Sequence, residues 1–148
     1  MKINHLLLGI IFFFLSCSSY KKEIDFKITD ISYNKDSVEV NRLVYDSKTG
    51  ILINHKKTAT IVLNEIEKRD IYNYYIERKF TYPSVCVLHQ DGTSSEVTIE
   101  FKKIKINNGR CSENEMEIKK HLLLYARIHT ILRSKEEFQK IFPPLDVY

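Results

Sequence analysis

The stretch "IDFKITDISY" (Ile24–Tyr33) alternates apolar and polar residues, and this alternation decides the fold class. Ile24, Phe26 and Ile28 recur at every second position, which is the spacing of a half-buried β-strand. After a break, Ile31 and Tyr33 continue the pattern. The stretch therefore predicts the first strand of a sheet that has one face on a core and the other face in water.

The segments that follow also predict strands, because they are short, rich in β-branched residues and bounded by turn residues. A turn at Asn34–Asp36 and a loop at Asp46–Gly50 separate the first three strands, and Gly50 is available for a positive φ. Asp91 and Gly92 separate the last two. The predicted strands after the first are Val38–Tyr45, Ile51–Asn54, Thr58–Leu63, Val85–Gln90 and Ser95–Ile106, with a final turn at Asn107–Arg110.

The period of the apolar residues changes to that of a helix after Asn64. Asn64 and Glu67 have the types and the spacing of a helix N-cap with a reciprocal acid. Apolar residues then recur four positions apart, as on one face of a helix. Pro83 forbids continuation of this helix. These residues predict a helix from about Glu65 to Lys79.

Two further helices are predicted near the end of the sequence. Each begins with a serine that has a glutamate three residues later, which is the pattern of an N-cap. Runs of strands with helices segregated between them predict the α+β class. We expect an antiparallel β-sheet packed on one face by two main α-helices, plus a short C-terminal helix. The predicted caps are Ser112 (with Glu115) for a helix ending at Arg133, and Ser134 (with Glu137) for Lys135–Phe142, ended by Pro143–Pro144.

The composition indicates a single globular domain without a nucleic-acid-binding surface. The chain has 148 residues, 43% of them hydrophobic and 28% charged, which is ordinary for one folded domain. Lys and Arg number 23 against 19 Asp and Glu, and the two signs are interspersed along the chain. Because nucleic-acid binding needs a concentrated basic patch, we expect no nucleic-acid partner.

The first residues have the pattern of a signal peptide. Lys2 supplies a positive charge, and the apolar stretch "LLLGIIFFFL" (Leu6–Leu15) follows without a charged residue. This stretch is shorter than the about 20 residues that a membrane-spanning helix needs. Ser16, a small residue, then precedes Cys17. An ordinary signal peptide cut after Ser18 and a lipoprotein signal are both compatible with these residues.

The tetrapeptide "FLSC" (Phe14–Cys17) resembles the lipobox of bacterial lipoproteins, in which an apolar residue and a small residue lead into an invariant cysteine. Phe14 and Leu15 are bulkier than the residues of the commonest pattern, a looseness tolerated in Bacteroidota-type lipoproteins. The resemblance implies that Cys17 receives a diacylglyceryl thioether and becomes the acylated N-terminus after cleavage. It also implies an outer-membrane lipoprotein that faces the periplasm, with surface exposure left open.

The resemblance divides the chain into three parts. Residues 1–16 form the lipoprotein signal peptide, residues 17–20 the acylated cysteine with a short tether, and residues 21–148 a single α+β domain. The implied partner is the membrane, through the lipid on Cys17. A protein partner in the envelope is compatible with this placement.

Cys86 and Cys111 are the two cysteines that remain if Cys17 carries lipid. A secreted domain of this size can use a disulfide, and a bridge between these residues would stabilise it by about 3 kcal/mol. The two residues lie on one predicted strand and just beyond the end of the next. They are therefore either a disulfide or two unpaired, buried thiols.

His121 and Glu117 have the strongest claim to a chemical role among the polar residues of the domain. On a helical projection His121 lies on the apolar side, between Ile128 and Leu132, with Glu117 one turn before it. The pair is either a catalytic or ligand dyad, or a partly buried histidine satisfied by a neighbouring acid. The histidines of the chain lack the close spacing of a zinc motif, and we expect neither a metal nor a cofactor.

The sequence supports three functional hypotheses. The first is a lipid-anchored envelope protein that acts as a non-enzymatic binding or accessory module, since no nucleophile or phosphate-binding motif is present. The second is a periplasmic immunity or inhibitor lipoprotein that neutralises a toxin or a hydrolase. The third is a small enzyme that uses Glu117 and His121.

Overall fold

The computed structural model describes residues 24–102, 104 and 111–142. The predicted signal peptide and the acylated cysteine lie outside these residues. So do the predicted turn at Asn107–Arg110 and the two prolines Pro143–Pro144. The sheet and the helices that follow are all built from the described part of the predicted 21–148 domain.

Within the described residues, six antiparallel strands form one sheet. Their spatial order is β4-β3-β2-β1-β6-β5, so the first strand lies in the interior of the sheet. The first four strands form a meander, whereas β1 also pairs with β6, which comes after a helix and the strand β5 in the chain. The strands are Phe26–Tyr33 (β1), Glu39–Asp46 (β2), Ile51–Asn54 (β3), Lys57–Thr60 (β4), Ser84–Leu88 (β5) and Ser94–Phe101 (β6).

Three helices follow or interrupt these strands in the described ranges. The two longer helices contact each other, and the short one contacts β4 and the last helix before it. The predicted fold class is confirmed: an antiparallel sheet is packed by two main helices and a short C-terminal helix. The helices are Glu65–Arg78 (α1), Glu115–Arg133 (α2) and Glu136–Ile141 (α3).

The alternation in β1 divides its side chains between the two faces of the sheet. Phe26 and Ile28 are buried, with 3% and 1% of their surface exposed, on the face that the helices cover. Ile31 and Tyr33 stand at odd positions and therefore lie on the opposite face. The break in the sequence pattern is thus a change of face within one continuous strand, and it places Asp30 on the helix-covered face.

The predicted strand Thr58–Leu63 is shorter in the structure, where β4 ends at Thr60. The backbone N–H of Ile61 donates to the Gly50 carbonyl at 2.6 Å, and β3 begins only after that residue, so no further partner is available. Gly50 has φ of +72°, as the loop sequence predicted. A side chain there would also meet the Ile61 carbonyl oxygen at 2.9 Å, so glycine is required.

The predicted strand Ser95–Ile106 also ends early, at Phe101. The backbone N–H of Ile104 donates to the Phe101 carbonyl at 3.0 Å, which closes a turn directly after the strand. The ladder with β1 ends at the same place, because Phe101 pairs with Phe26, the first residue of β1. Strand length is therefore set by the partner strand rather than by the alternation.

The N-cap of α1 confirms the sequence prediction. Asn64 Oδ1 accepts from the Glu67 backbone N–H at 2.9 Å, and Glu67 Oε2 accepts from the Asn64 backbone N–H at 2.8 Å. This is a complete capping box, which satisfies two donors that a helix start leaves without partners. At the other end, Lys79 adopts a left-handed conformation and closes the helix one residue earlier than predicted.

The predicted N-caps of the other two helices are wrong. Asn114, not Ser112, caps α2, because the backbone of Ser112 already pairs with β5 through bonds to Ser84 and Cys86. Ser134 belongs to the last turn of α2, where its hydroxyl donates to the Ile131 carbonyl at 2.7 Å. The next residue, Lys135, precedes α3 without a side-chain cap.

The core lies between the sheet and the helices, and its aromatic part centres on Phe101. The Phe101 ring lies 4.5 Å from the Tyr75 ring, 5.4 Å from Tyr72 and 5.6 Å from Phe26, measured between centroids. These contacts join β1, β6 and α1. Other side chains with 0% or 1% exposure complete the core, among them Ile28, Tyr45, Leu52, Ile61, Ile71, Val85, Ile99, Leu124, Ile128 and Leu132.

Two ion pairs join α1 to the C-terminal helices. The Arg127 guanidinium donates to both carboxylate oxygens of Asp70, at 2.6 and 2.7 Å. The Lys135 ammonium lies 2.5 Å from the Glu67 carboxylate, which also belongs to the capping box of α1. The Arg127–Asp70 pair is therefore bidentate, and a bidentate pair is stronger than an exposed ion pair with a single hydrogen bond. These contacts link α1 to α2 and to Lys135, the residue that precedes α3.

Candidate functional site

Cys86 and Cys111 form a disulfide, with their Cα atoms 5.5 Å apart. The bridge that the sequence allowed is therefore present, and the alternative of two unpaired thiols is wrong. The bridge joins β5 to the segment that leads into α2. Directly after it, Ser112 pairs with the edge of β5, donating to Ser84 and accepting from Cys86, both at 3.0 Å. The bridge and the pairing together protect part of an exposed sheet edge.

The Glu117 carboxylate has two partners close to the start of α2. Its Oε1 accepts from the Lys120 ammonium at 2.7 Å, and its Oε2 accepts from the backbone N–H of Thr81 at 3.3 Å. Burial by itself would raise the pKa of Glu117, but the hydrogen bonds from Lys120 and Thr81 outweigh it and lower that pKa. The carboxylate therefore joins α2 to the segment that follows α1.

His121 contacts the backbone of Glu117 rather than its carboxylate. The ring Nδ1 lies 2.9 Å from the Glu117 carbonyl oxygen. Because a carbonyl only accepts, Nδ1 is the donor in this contact. The predicted pairing of carboxylate and imidazole is thus replaced by two separate contacts. The histidine is therefore held by the backbone of its own helix, and not by the neighbouring acid as either interpretation of the pair assumed.

The His121 ring is completely buried, and its Nε2 atom has no hydrogen-bond partner. The Phe80 ring contacts it edge-on, with the ring centroids 4.7 Å apart. Burial lowers the pKa of His121, against the opposing influence of the Glu117 carbonyl and charge and of the Pro83 and Tyr82 carbonyls. The folded protein therefore holds this ring in its neutral form.

We expect His121 to make the protein less stable below about pH 6.5. In the unfolded chain the histidine takes up a proton near that pH, whereas in the folded protein its lowered pKa keeps the ring neutral. Stability is therefore complete above the unfolded pKa and falls as the pH decreases through it, by at most about 1 kcal/mol between about pH 7 and about pH 5.5. Urea unfolding of wild type and His121→Leu at these two pH values measures the difference.

The control for this prediction is His55→Asn, at an exposed turn between β3 and β4 where the residue has φ of 55°. Asparagine tolerates this conformation, so the variant should fold normally. The test compares the loss of stability on acidification in the three proteins, and we expect the loss to be smaller in His121→Leu than in wild type, by at most about 1 kcal/mol. Equal losses in all three proteins would show that His121 is not the responsible group.

A second polar cluster, which the sequence did not predict, lies between α2 and the sheet. Tyr125 faces Asp30, and its pKa is raised by burial and by that carboxylate. His129 stacks on the Tyr125 ring at 5.8 Å and meets the Phe138 ring edge-on at 5.4 Å. Burial and Arg133 lower the pKa of His129, while Asp30 opposes them. The cluster joins β1, α2 and α3. The one sequence signal for it is the position of Asp30 on the face of β1 that the helices cover.

A cavity of about 590 Å³ opens at the end of the sheet where β1 begins and where β2 and β6 end. Its size falls in the range of about 300–1,000 Å³ that is typical of small-molecule sites. Aromatic, aliphatic and charged side chains all contribute to its wall. The lining residues are Asp25, Phe26, Lys27, Asp46, Lys48, Tyr75, Pro83, Ile99, Glu100, Phe101, Lys102 and Ile104.

The predicted lipidation site, Cys17, lies outside the described residues. Across residues 24–102, 104 and 111–142, no group of three or more His, Cys, Asp or Glu side chains is placed to hold a metal ion. In the same ranges, no helix combines the length and the apolar character needed to cross a bilayer.

Comparisons with known proteins returned no relatives for this chain. No protein-family model matches it, no curated protein matches it, and no solved structure matches it. A function proposed for the protein therefore depends on its own residues and their geometry.

Proposed function

We propose that the protein is a lipid-anchored component of a bacterial cell envelope, with its folded domain acting as a non-enzymatic binding or accessory module. The observation that carries the proposal is the N-terminal sequence, in which an uncharged apolar stretch leads through Ser16 into Cys17. Acylated Cys17 would hold the domain at the outer membrane, on the periplasmic side.

The chemistry of the anchor requires a cysteine, because a thiolate is the nucleophile that can take up the diacylglyceryl group. Each buried methylene contributes about 0.8 kcal/mol to membrane binding, and two or more chains hold a protein much more firmly than one. A tether of a few residues after Cys17 is then sufficient to keep the domain at the membrane surface.

The disulfide supports this placement. Disulfides form and persist in oxidising compartments such as the bacterial periplasm and are rare in the cytosol. The chain has three cysteines, and Cys86 and Cys111 use two of them. Cys17 therefore has no other cysteine in the chain with which to form a disulfide, and acylation requires such a free thiol.

A binding role is supported by the cavity at the end of the sheet, whose volume suits a small ligand. The two residues with the strongest claim to catalysis have structural contacts instead. Glu117 binds Lys120 and the Thr81 backbone, and His121 is buried against Phe80. These contacts favour a binding module over a small enzyme built on that pair.

Cys17→Ser should abolish lipid labelling and weaken membrane attachment. Cells expressing either protein are grown with an alkyne analogue of palmitate, and the purified protein is then coupled to a fluorophore. Wild type should carry the label and sediment with the membranes, whereas Cys17→Ser should carry none and sediment less, because the acyl chains supply the membrane affinity.

The matched control for this experiment is Ser18→Ala, which leaves the cysteine in place and should label as wild type does. An unlabelled wild type, or a label that persists on Cys17→Ser, would refute the anchor. The mass of the mature N-terminus separates the two kinds of signal peptide. A chain that begins at Ser19 would show an ordinary signal peptide cut after Ser18.

A further inference from the structure

The two edges of the sheet differ in how they are protected. At the β5 edge, Ser112 donates to the Ser84 carbonyl and accepts from the Cys86 backbone N–H, both at 3.0 Å. The strand β4 lies at the other end of the strand order, and among the described residues no strand pairs with its outer side. An edge of this kind presents unpaired backbone groups that another strand can pair with.

The backbone groups of β4 that point outward belong to Thr58 and Thr60. The Ile61 backbone N–H donates at 2.6 Å to the carbonyl of the residue that precedes β3. Bonded pairs alternate along an antiparallel ladder, so Ala59 exchanges its bonds with Leu52. Thr58 and Thr60 stand at the intervening positions, and their N–H and C=O groups therefore point away from β3. Donors and acceptors thus alternate along the free edge.

The side chains of β4 leave this edge uncharged. Thr58 and Thr60 are exposed on the sheet face opposite the core, beside Ile53 and Ile51, which are 40% and 41% exposed. Lys57 is the charged residue of the strand, and its ammonium donates at 3.1 Å to the carbonyl of the last residue of α3. Edges that are protected from pairing commonly carry charges or prolines. The exposed face of this edge carries β-branched residues instead, which favour strand pairing.

The two ends of β4 carry charges of opposite sign. Lys56 lies in the turn before the strand, and Glu65 begins α1 shortly after it. Both are exposed, and neither forms an ion pair in the described part of the chain. An antiparallel second copy of β4 would bring the basic end of each strand to the acidic end of the other, whereas a parallel copy would bring like charges together. The charges therefore favour a second, antiparallel copy of this strand.

We propose that two copies of this protein associate through antiparallel pairing of their β4 strands, so that the two sheets become one continuous sheet. Thr58 of each copy pairs with Thr60 of the other, and each pair exchanges both of its backbone hydrogen bonds. In this register Val62, which is 72% exposed, lies opposite Lys56 of the other copy, whose hydrocarbon stem covers it.

The register makes the contact self-complementary. The same residues contribute from both copies, which is the property of a closed two-fold dimer. Addition of a strand to an open sheet edge is an established mode of protein recognition, in which backbone hydrogen bonds supply the affinity. The pairing does not involve Cys17 and therefore does not depend on the lipid anchor.

The test places the photoreactive residue benzoylphenylalanine at position 58 of the full-length protein in cells. Irradiation should give a product with twice the mass of the chain. Thr58 and Thr60 belong to the same tryptic peptide. A link between two copies of that peptide can arise only between two chains, and mass spectrometry should find it.

The direction of pairing is tested with the same photoreactive residue at position 56. In the antiparallel arrangement it should react with the segment from Val62 to Glu65 of the other copy. The matched control is the photoreactive residue at position 88, because Leu88 is 80% exposed on the opposite edge strand, β5. This control should give no product of twice the mass.

Two variants of Thr60 test the pairing itself. Thr60→Pro removes an outward N–H that β3 does not use, and a proline at such an edge position leaves the hairpin intact. Thr60→Lys keeps that N–H but places like charges from the two copies near each other. Because the two-fold arrangement applies each change twice, the yield of the product from position 58 should fall by about fivefold or more in both variants.

Leu88→Pro and Leu88→Lys make the same changes at an outward-facing position of β5 and should leave the yield unchanged. Circular dichroism verifies that each variant is folded. Three results would overturn the proposal: no product of twice the mass from position 58, a product that joins position 58 to a different protein, or an unchanged yield in a folded Thr60 variant. Links from position 56 to the Lys56 turn of the other copy would overturn the antiparallel direction.

Discussion

Phe101→Ala is expected to lower the free energy of unfolding by about 3–5 kcal/mol, the range for truncation of a buried phenylalanine. The Phe101 side chain is 2% exposed and its ring contacts those of Phe26, Tyr72 and Tyr75. Its removal takes away apolar contacts from β1, β6 and α1 at once, and the surrounding rings can fill the cavity only in part. Urea denaturation followed by circular dichroism measures the change.

This loss is large compared with the total stability of a small domain, about 5–15 kcal/mol. Leu88→Ala is the matched control, because Leu88 lies on the neighbouring strand β5 with 80% of its surface exposed. It should change the free energy of unfolding by no more than about 0.5 kcal/mol. A Phe101→Ala protein as stable as this control would show that the aromatic cluster does not hold the sheet to α1.

Removal of the Cys86–Cys111 disulfide is expected to lower the free energy of unfolding by about 3 kcal/mol. The bridge closes a loop across a sequence separation of 25 residues, so it restricts the unfolded chain. It also holds Ser112 against the edge of β5 and fixes the start of α2. Urea unfolding of the oxidised wild type and of Cys86→Ala/Cys111→Ala measures the effect.

Reduction of the wild type offers an independent measurement of the same bridge. The reduced protein and Cys86→Ala/Cys111→Ala should unfold at similar urea concentrations, because both lack the crosslink. Cys17→Ser serves as the control and should unfold as the oxidised wild type does. Alkylation before reduction, followed by mass spectrometry, tests the bridge directly. Two alkylated thiols on Cys86 and Cys111 of the native protein would contradict it.

Local sequence patterns predicted most of the elements because those patterns act over a few residues. The alternation in Ile24–Tyr33 and the capping pair Asn64 and Glu67 depend only on neighbours along the chain. Both have the predicted structure. The predicted N-cap of α2 is wrong, because the Ser112 backbone is bonded to β5, a strand more than twenty residues earlier in the chain. A cap pattern cannot anticipate a competing partner of that kind.

The candidate site was predicted less well than the fold. The sequence brought Glu117 and His121 together by helical spacing, but spacing does not show which atom each side chain faces. In the structure the carboxylate is bonded to Lys120 and Thr81, which lies beyond the end of α1. The cavity was not predicted at all, since its wall combines β1, β6 and α1.

The sequence by itself determined the α+β class, the hairpins and the capping box of α1. These features depend on residue type and on spacings of a few residues, so they do not require contacts between distant segments. Only the tertiary structure decided that β1 pairs with β6, that His121 is buried and that β4 lies at an edge of the sheet. Such features arise because packing brings distant segments together, and the free energy of packing depends on all of them at once.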